Sequence, residues 1–430
     1  MRLVAEPGAT MSGEALVPGD KSCSHRALIL GAMADGETRI EGLLESDDVL
    51  ATARAVATFG AVAERLAPGR WRLEGRPWQS PDRPVDCGNS GTAARLLMGA
   101  VAGMQGVTAN FTGDDSLSAR PMGRVTRPLE QMGASFEGSE RLPVTVRGAR
   151  LGGIEHRNVP ASAQVKSAIL LAGLGTDAPV RITEPEASRD HSEIMLRLFG
   201  ADVTTDGDFI TLGERRTLRG CAVSIAADPS SAAFPLLAGA IVPGASVTVR
   251  NLLVNPLRTG FYETLEEMGA VVGLSNERID CGEVVADVTV GHAELRPCHV
   301  EGHQVPAMID EIPALAVACA FADGESVIEG LSELKVKESD RLGAVVAGLV
   351  GCGVAAIADN DVLRIFGRGR VSGGGRVVTH GDHRIAMAFL TMGLASDGPV
   401  EVDRAEMIAT SFPDFLGTMR SLGARIKDVA

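Results

Sequence analysis

Two kinds of helix-like segment alternate along the chain, with short strand-like runs between them. One kind is apolar nearly all round: ALILGAMA after Arg26, ARLLMGAVAG after Ala93, AILLAGLG after Ser167, AAFPLLAGAI after Ser231, ALAVACAFA after Pro313 and IAMAFLTMGLA after Arg384. This pattern predicts helices buried on every side. Each begins with a residue suited to capping: Asp20, Asn89 with Ser90, Ser162, Asp228, Asp310 and Asp382. The other kind, such as SDDVLATARAVATFG from Ser46, keeps a polar face and predicts helices with one side in water.

Alternating β-branched runs follow the buried helices: DGETRIEGL from Asp35, QGVTANFTG from Gln105, DAPVRITEP from Asp177, PGASVTVRNL from Pro243, DGESVIEGL from Asp323 and DGPVEVDRA from Asp397. The outer helices close at Gly60-Ala61, Gly133-Ala134, Gly200-Ala201, Gly269-Ala270, Gly353-Val354 and Gly423-Ala424. Six copies of one pattern, spaced roughly 70 residues apart, form an internal repeat longer than common solenoid units. Each copy holds two helices and several short strands, a small α/β layer, and three layers make a domain of ordinary size. The expected architecture is α/β with two domains of three units, residues 17–226 and residues 1–16 plus 227–430. The break falls near SIAADPSS at Ser224 to Ser231. The leftover first strand, RLVAEP, is assigned to the second domain, so the chain crosses between domains twice.

A chain of 430 residues is too long for one core, and 51 glycines with only 3% aromatics imply an interior of small and branched side chains. The net charge of -14 argues against nucleic acid or a membrane surface as partner, but leaves room for a small anion in a local basic pocket. The amino-terminal segment lacks a signal-peptide pattern. The apolar run Leu342 to Ala358 is broken by glycines and is too short to span a membrane. Seven cysteines without a C-x-x-C pair suit a reducing compartment, and a cytoplasmic location is expected.

Cations recur where the buried helices begin. Lys21 and Arg26 crowd the first turns of PGDKSCSHRALILGAMADG, Lys166 follows the third opening, Arg384 the sixth, and Lys337 and Arg341 stand in KVKESDRL. Arg120 and Arg189 lie in strand-to-helix loops. Helix starts offer free N–H groups, and with oriented Arg or Lys they make anion sites. Converging on one cleft, they would suit a doubly anionic substrate or two anionic substrates.

The motifs GDKSCSHRA, GNSGTAARLL, RPMGR, SAQVKSA, RDHSE, DEIPALAVA, VKESDRL, GDHRIAMAF and TSFPDF, in that order, resemble the enolpyruvyl transferases, in particular members acting on shikimate-3-phosphate. The resemblance covers essentially the whole chain. It implies two domains of three βαβαββ units, an inside-out α/β barrel arrangement, with the active-site cleft between them. It also implies transfer of the carboxyvinyl group of phosphoenolpyruvate to the 5-hydroxyl of shikimate-3-phosphate, with release of phosphate, in aromatic amino-acid (chorismate) biosynthesis. By the same resemblance Lys21, Ser22, Arg26, Ser162, Ala163, Gln164, Arg189, Asp310 and Lys337 hold shikimate-3-phosphate. Lys21, Gly91, Arg120, Gln164, Arg341 and Arg384 hold phosphoenolpyruvate. Asp310 is expected to accept the hydroxyl proton and Glu338 to protonate the vinyl methylene, with Lys21 a third proton-handling group.

No cofactor or metal is expected, since HGDH at His380 to His383 and HVEGH at His299 to His303 are weak ligand patterns. His25 and His383 are expected to form hydrogen bonds, and Cys23 and Cys87 to be small buried thiols. The expected partners are small anionic substrates, and the chain is expected to be a monomer. Relatives often carry a lysine just before FPD, where Thr410 and Ser411 stand here, as in the branch called class II. Gly91 leaves room beside phosphoenolpyruvate, so partial sensitivity to glyphosate is expected. The branch acting on UDP-N-acetylglucosamine has a cysteine before its RP motif, and TGDDSLSARPMG has none. A non-catalytic binding protein on the same repeat is the remaining alternative.

Overall fold

The computed structural model describes residues 1–429, without the side chain of Val336. The chain divides into two compact units. One comprises Gly19–Ile225 with Asp280–Glu283, and the other Met1–Pro18, Ala226–Ile279 and Val284–Ala430. The strands form six four-stranded sheets, and no closed barrel is formed among the described residues.

The sheets share one plan. In the second repeat Val85–Asp86 runs parallel to Thr108–Thr112, which pairs antiparallel with Val144–Arg147, which in turn pairs antiparallel with the edge strand Ser135–Glu137. The same order recurs in the third repeat with Ile154–Arg157, Val180–Thr183, Phe209–Leu212 and Val203–Asp206. Three sheets borrow a strand from a distant part of the chain. Ala222–Ser224 opens the first sheet beside Glu37–Glu41, and Ser12–Ala15 opens the fourth beside Ser246–Leu253. Arg2–Ala5 lies between Val400–Val402 and Ile426–Val429 in the sixth sheet, with Leu3 and Ala5 fully buried.

Chain chemistry sets the helix boundaries. Asp20, Ser90, Ser162, Asp228 and Asp382 accept backbone N–H bonds at the starts of helices Lys21–Met33, Gly91–Ala102, Ala163–Gly173, Pro229–Ile241 and His383–Ala395. Gly60, Gly133, Gly200, Gly269, Gly353 and Gly423 end the outer helices at φ between 84° and 108°, a conformation that favours glycine. Each unit has its own core of aliphatic side chains. The helices Gly91–Ala102 and Ala163–Gly173 approach so closely that a Cβ on Gly99 would stand 2.4 Å from the Ala168 carbonyl oxygen. That contact requires a residue without a side chain where these two helices meet.

Candidate functional site

In the Gly19–Ile225 unit the expected residues cluster at the starts of three inner helices. Lys21 opens the first, and its Nζ lies 2.5 Å from Asp48 Oδ2, in the first turn of helix Asp47–Thr58. Ser22 follows, partly exposed. Arg26, one turn on, is buried and points inward. Its Nε donates to Ser192 Oγ at 2.8 Å, Nη2 to Ser167 Oγ at 2.7 Å and Nη1 to the Ser22 carbonyl at 3.0 Å. Burial pulls the Arg26 pKa down, and the charge of Arg189, in the loop before helix His191–Leu198, acts in the same direction.

Gly91 is the first residue of helix Gly91–Ala102, and Arg120 ends the short helix Asp115–Ala119. Arg120 Nη2 donates to Asn89 Oδ1 at 2.8 Å, and a Cβ on Gly91 would stand 3.5 Å from Arg120 Nη1. Ser162, Ala163 and Gln164 open the third inner helix, where Ser162 Oγ accepts from the Val165 N–H. The Gln164 amide lies between Arg95 and Thr92.

Lys166 does not join the cations expected to grip an anion. Its Nζ lies 2.6 Å from Glu184 Oε2 and 2.8 Å from Glu193 Oε1, and all three side chains are at most 3% exposed. Asn158 and Ser188 donate to the other oxygen of Glu184. Burial would lower the Lys166 pKa, but Glu193 and Glu184 raise it, so the ammonium stays charged and occupied.

His25 is fully buried, with Nδ1 2.7 Å from Thr52 Oγ1 and Nε2 3.5 Å from Ser90 Oγ. Burial, then Lys21 and Arg26, push its pKa well below the ordinary imidazole value and keep it neutral. Burial raises the Cys23 and Cys87 thiols, so both stay protonated. Asp20, Cys23 and His191 bring ligand-type atoms within 4.8 Å of one another. Asp20 already serves as the helix cap, while His191 Nδ1 pairs with Glu283 Oε1 at 2.7 Å. Lys21 and Arg26 lie on the same helix, and their charge opposes a metal cation there. His299 and His303 pair with Glu329 and Glu301 instead.

In the other unit the cluster centres on Arg341, the first residue of helix Arg341–Gly351, whose side chain is wholly buried. Nε lies 2.7 Å from Asp382 Oδ2, Nη1 lies 3.1 Å from Asp310 Oδ1, and Nη2 donates to Glu338 Oε2. Burial would lower the guanidinium pKa, but Asp382, Glu338 and Asp310 overcome it and raise the value above the ordinary one. Asp310 Oδ1 also lies 3.4 Å from Lys337 Nζ and 3.9 Å from Arg384 Nε, and Arg384 Nη1 donates to the Asp310 carbonyl at 3.2 Å.

Asp310 is not the helix cap expected from the sequence. Glu311 occupies that position without a side-chain cap bond, and the helix runs Ile312–Phe321. Three cations draw the Asp310 carboxylate away from the helix end. Thr410 Oγ1, in the segment where the resemblance leads to an expected lysine, donates to the Met407 carbonyl at 2.7 Å and lies 3.4 Å from His383 Nδ1.

Sequence reasoning gave no role to Asp48 or Arg95, and saw Asp382 only as a cap. The doubled acid in SDDVL and the arginine inside GNSGTAARLL were the available signals. Partners across 27 and 69 residues are invisible without the fold.

Each cluster joins helix-start N–H groups to cations and so is suited to anions, and the Arg341 cluster adds two partly exposed carboxylates able to move protons. Residues 5–419 match the family model described as EPSP synthase (3-phosphoshikimate 1-carboxyvinyltransferase). The chain is 50% identical over 438 residues to 3-phosphoshikimate 1-carboxyvinyltransferase of Caulobacter vibrioides, covering 99% of each chain. It is 51% identical over 444 residues to the Methylorubrum extorquens enzyme of that name, covering 100% of this chain and 98% of the relative. The solved EPSP synthase from Acinetobacter baumannii superposes with a TM-score of 0.89 at 39% identity, covering 100% of both chains. The enolpyruvyl transferase NikO from Streptomyces tendae shares the fold, with a TM-score of 0.79 at 19% identity over 99% of this chain and 98% of its own.

Proposed function

The chain belongs to the EPSP synthase family, and we propose that it transfers the carboxyvinyl group of phosphoenolpyruvate to the 5-hydroxyl of shikimate-3-phosphate, releasing inorganic phosphate. The observation that supports this most is the Arg341 cluster. One buried guanidinium holds two carboxylates, Asp310 and Glu338, whose side chains keep 13% and 27% exposure.

The chemistry assigns work to each. The hydroxyl oxygen bonds to C2 of phosphoenolpyruvate while C3 gains a proton, giving a tetrahedral phospho-ketal. Loss of phosphate and of one methyl proton then restores the vinyl group. Asp310 accepts the hydroxyl proton, which leaves with phosphate; Glu338 in its acid form donates to C3 and as the carboxylate takes the methyl proton back; and Lys21 is the third proton-handling group, each positioned acid or base contributing about 10²–10⁴-fold.

Lys21, Gly91, Arg120, Gln164, Arg341 and Arg384 hold phosphoenolpyruvate. Its carboxylate competes with Glu338 for Arg341, and a Glu338 released from the guanidinium can take up from solvent the proton it then donates. Lys21, Ser22, Arg26, Ser162, Ala163, Gln164, Arg189, Asp310 and Lys337 serve shikimate-3-phosphate. Arg26, bound inward to Ser22, acts by shaping the helix start. Arginines that hold two mutually repelling anions in register supply the orientation the transfer needs.

Among the described residues no helix is long and apolar enough to cross a membrane. The enzyme works in the cytoplasm, as a monomer, without cofactor. Phosphate release is the direct test. It should require both phosphoenolpyruvate and shikimate-3-phosphate, and release from phosphoenolpyruvate alone at the same rate would refute the proposal.

A further inference from the structure

Arg95 stands one turn after Gly91 on helix Gly91–Ala102, so the two share a face. Its Nη1 donates to Gln164 Oε1 at 2.8 Å, and its Nη2 donates to the Pro121 carbonyl at 3.0 Å. Gln164 Nε2 donates to Thr92 Oγ1 at 3.0 Å. A guanidinium offers donors only, so the amide atom facing it must be the oxygen. With its oxygen on Arg95, Gln164 can turn only N–H toward a ligand. An anion needs that face, because a rotated amide would present its carbonyl and repel.

We propose that Arg95 is a positioning residue for the transfer: it fixes the Gln164 amide so that N–H faces the anionic substrate, and steadies the Arg120–Pro121 loop through the Pro121 carbonyl. The proposal rests on the reading that Gln164 holds substrate. Glycine at 91 is part of the device. A Cβ there would stand 2.7 Å from Arg95 Nη1 and so must push the guanidinium aside. A side chain at 91 therefore acts on Gln164 through Arg95, in addition to any crowding of the ligand.

The test is a double-mutant cycle on kcat/KM for phosphoenolpyruvate, with thermal midpoints recorded for every variant. Arg95→Met should lower kcat/KM by about tenfold to a hundredfold, the effect of losing a hydrogen bond to a charged group. The same substitution made on Gln164→Ala should cost clearly less than in the native background, because only the Pro121 contact is left to lose. Arg95→Lys, which keeps the charge but cannot span both oxygens, should recover part of the loss. Gly91→Ala should lower kcat/KM in the native background and lose most of that effect on Arg95→Met. An undiminished cost of Arg95→Met on Gln164→Ala would overturn the proposal. So would a loss matched wholly by a fall in thermal midpoint. A silent Gln164→Ala would overturn both the proposal and the placing of Gln164 on substrate, while wild-type phosphate release would still stand for the proposed reaction.

Discussion

Lys166 and Arg341 are both buried cations near the start of a helix, each gripped by carboxylates, yet they differ in where the carboxylates lead. Around Lys166 the partners Glu184 and Glu193 are 3% and 2% exposed, and Asn158 and Ser188 occupy the remaining Glu184 oxygen. That network is shut away from solvent. Around Arg341, Asp382 is buried, but Asp310 and Glu338 keep 13% and 27% of their side chains in reach of solvent. That network has an open side. A closed ion cluster can only hold structure, because no substrate can exchange with its members. An open one can trade a carboxylate for an anionic ligand and pass a proton to it. Proximity to a helix start does not separate the two cases; the exposure of the counter-ions does.

The sharpest way to break this comparison is to remove one proton carrier from the open cluster. Glu338→Gln and Asp310→Asn should each reduce kcat for phosphate release per folded molecule by about 10²–10⁴-fold, far more than any loss of a counter-ion to Arg341 lowers the folded fraction. Turnover within a few-fold of wild type would remove the residue from catalysis.

The closed cluster should respond in the opposite sense. Lys166→Met leaves two buried carboxylates without their cation, and it should cost about 3–5 kcal/mol of stability in denaturant unfolding. Phosphate release per folded molecule should stay within a few-fold. A large fall in kcat at unchanged stability would erase the distinction between the clusters.

A smaller effect is expected at His25. Its folded pKa lies below the unfolded value of about 6.5, so the unfolded chain binds the extra proton first. The stability involved is therefore full above that value and falls as pH drops below it, by up to about 1.4 kcal/mol per pH unit. His25→Gln should flatten the slope of unfolding free energy between about pH 7 and about pH 5 by up to one proton. An unchanged slope would show that His25 already carries charge in the folded chain. The smallest effect is the loss of the Ser90 cap, where Ser90→Ala should cost about 1 kcal/mol in unfolding free energy.

Much of the fold was legible because it rests on local rules repeated six times. Apolar faces marked the inner helices, and closing glycines marked turns that demand positive φ. Five of the six openings cap as their sequence suggests. The sixth fails at Asp310, where attraction to Arg341, Lys337 and Arg384 outweighs a cap bond. No local pattern could report that, because the cations come from 27 to 74 residues away. Lys166 failed for the same reason: Glu184 and Glu193 lie beyond its own helix. The exchange of strands also escaped local reading in part. RLVAEP was visible as an unplaced strand, but its place between Val400–Val402 and Ile426–Val429 follows from pairing across the length of the chain.

The claim that the Arg341 cluster handles the protons is tested most directly by running the reaction in D₂O and measuring deuterium at the vinyl methylene of substrate and product. Wild type and Lys166→Met should wash deuterium into that carbon as they turn over. Glu338→Gln, folded and able to bind both substrates, should incorporate almost none in the same time. Deuterium entering with Glu338→Gln at the wild-type rate would show that another group protonates the methylene, and the account of the open cluster would be wrong.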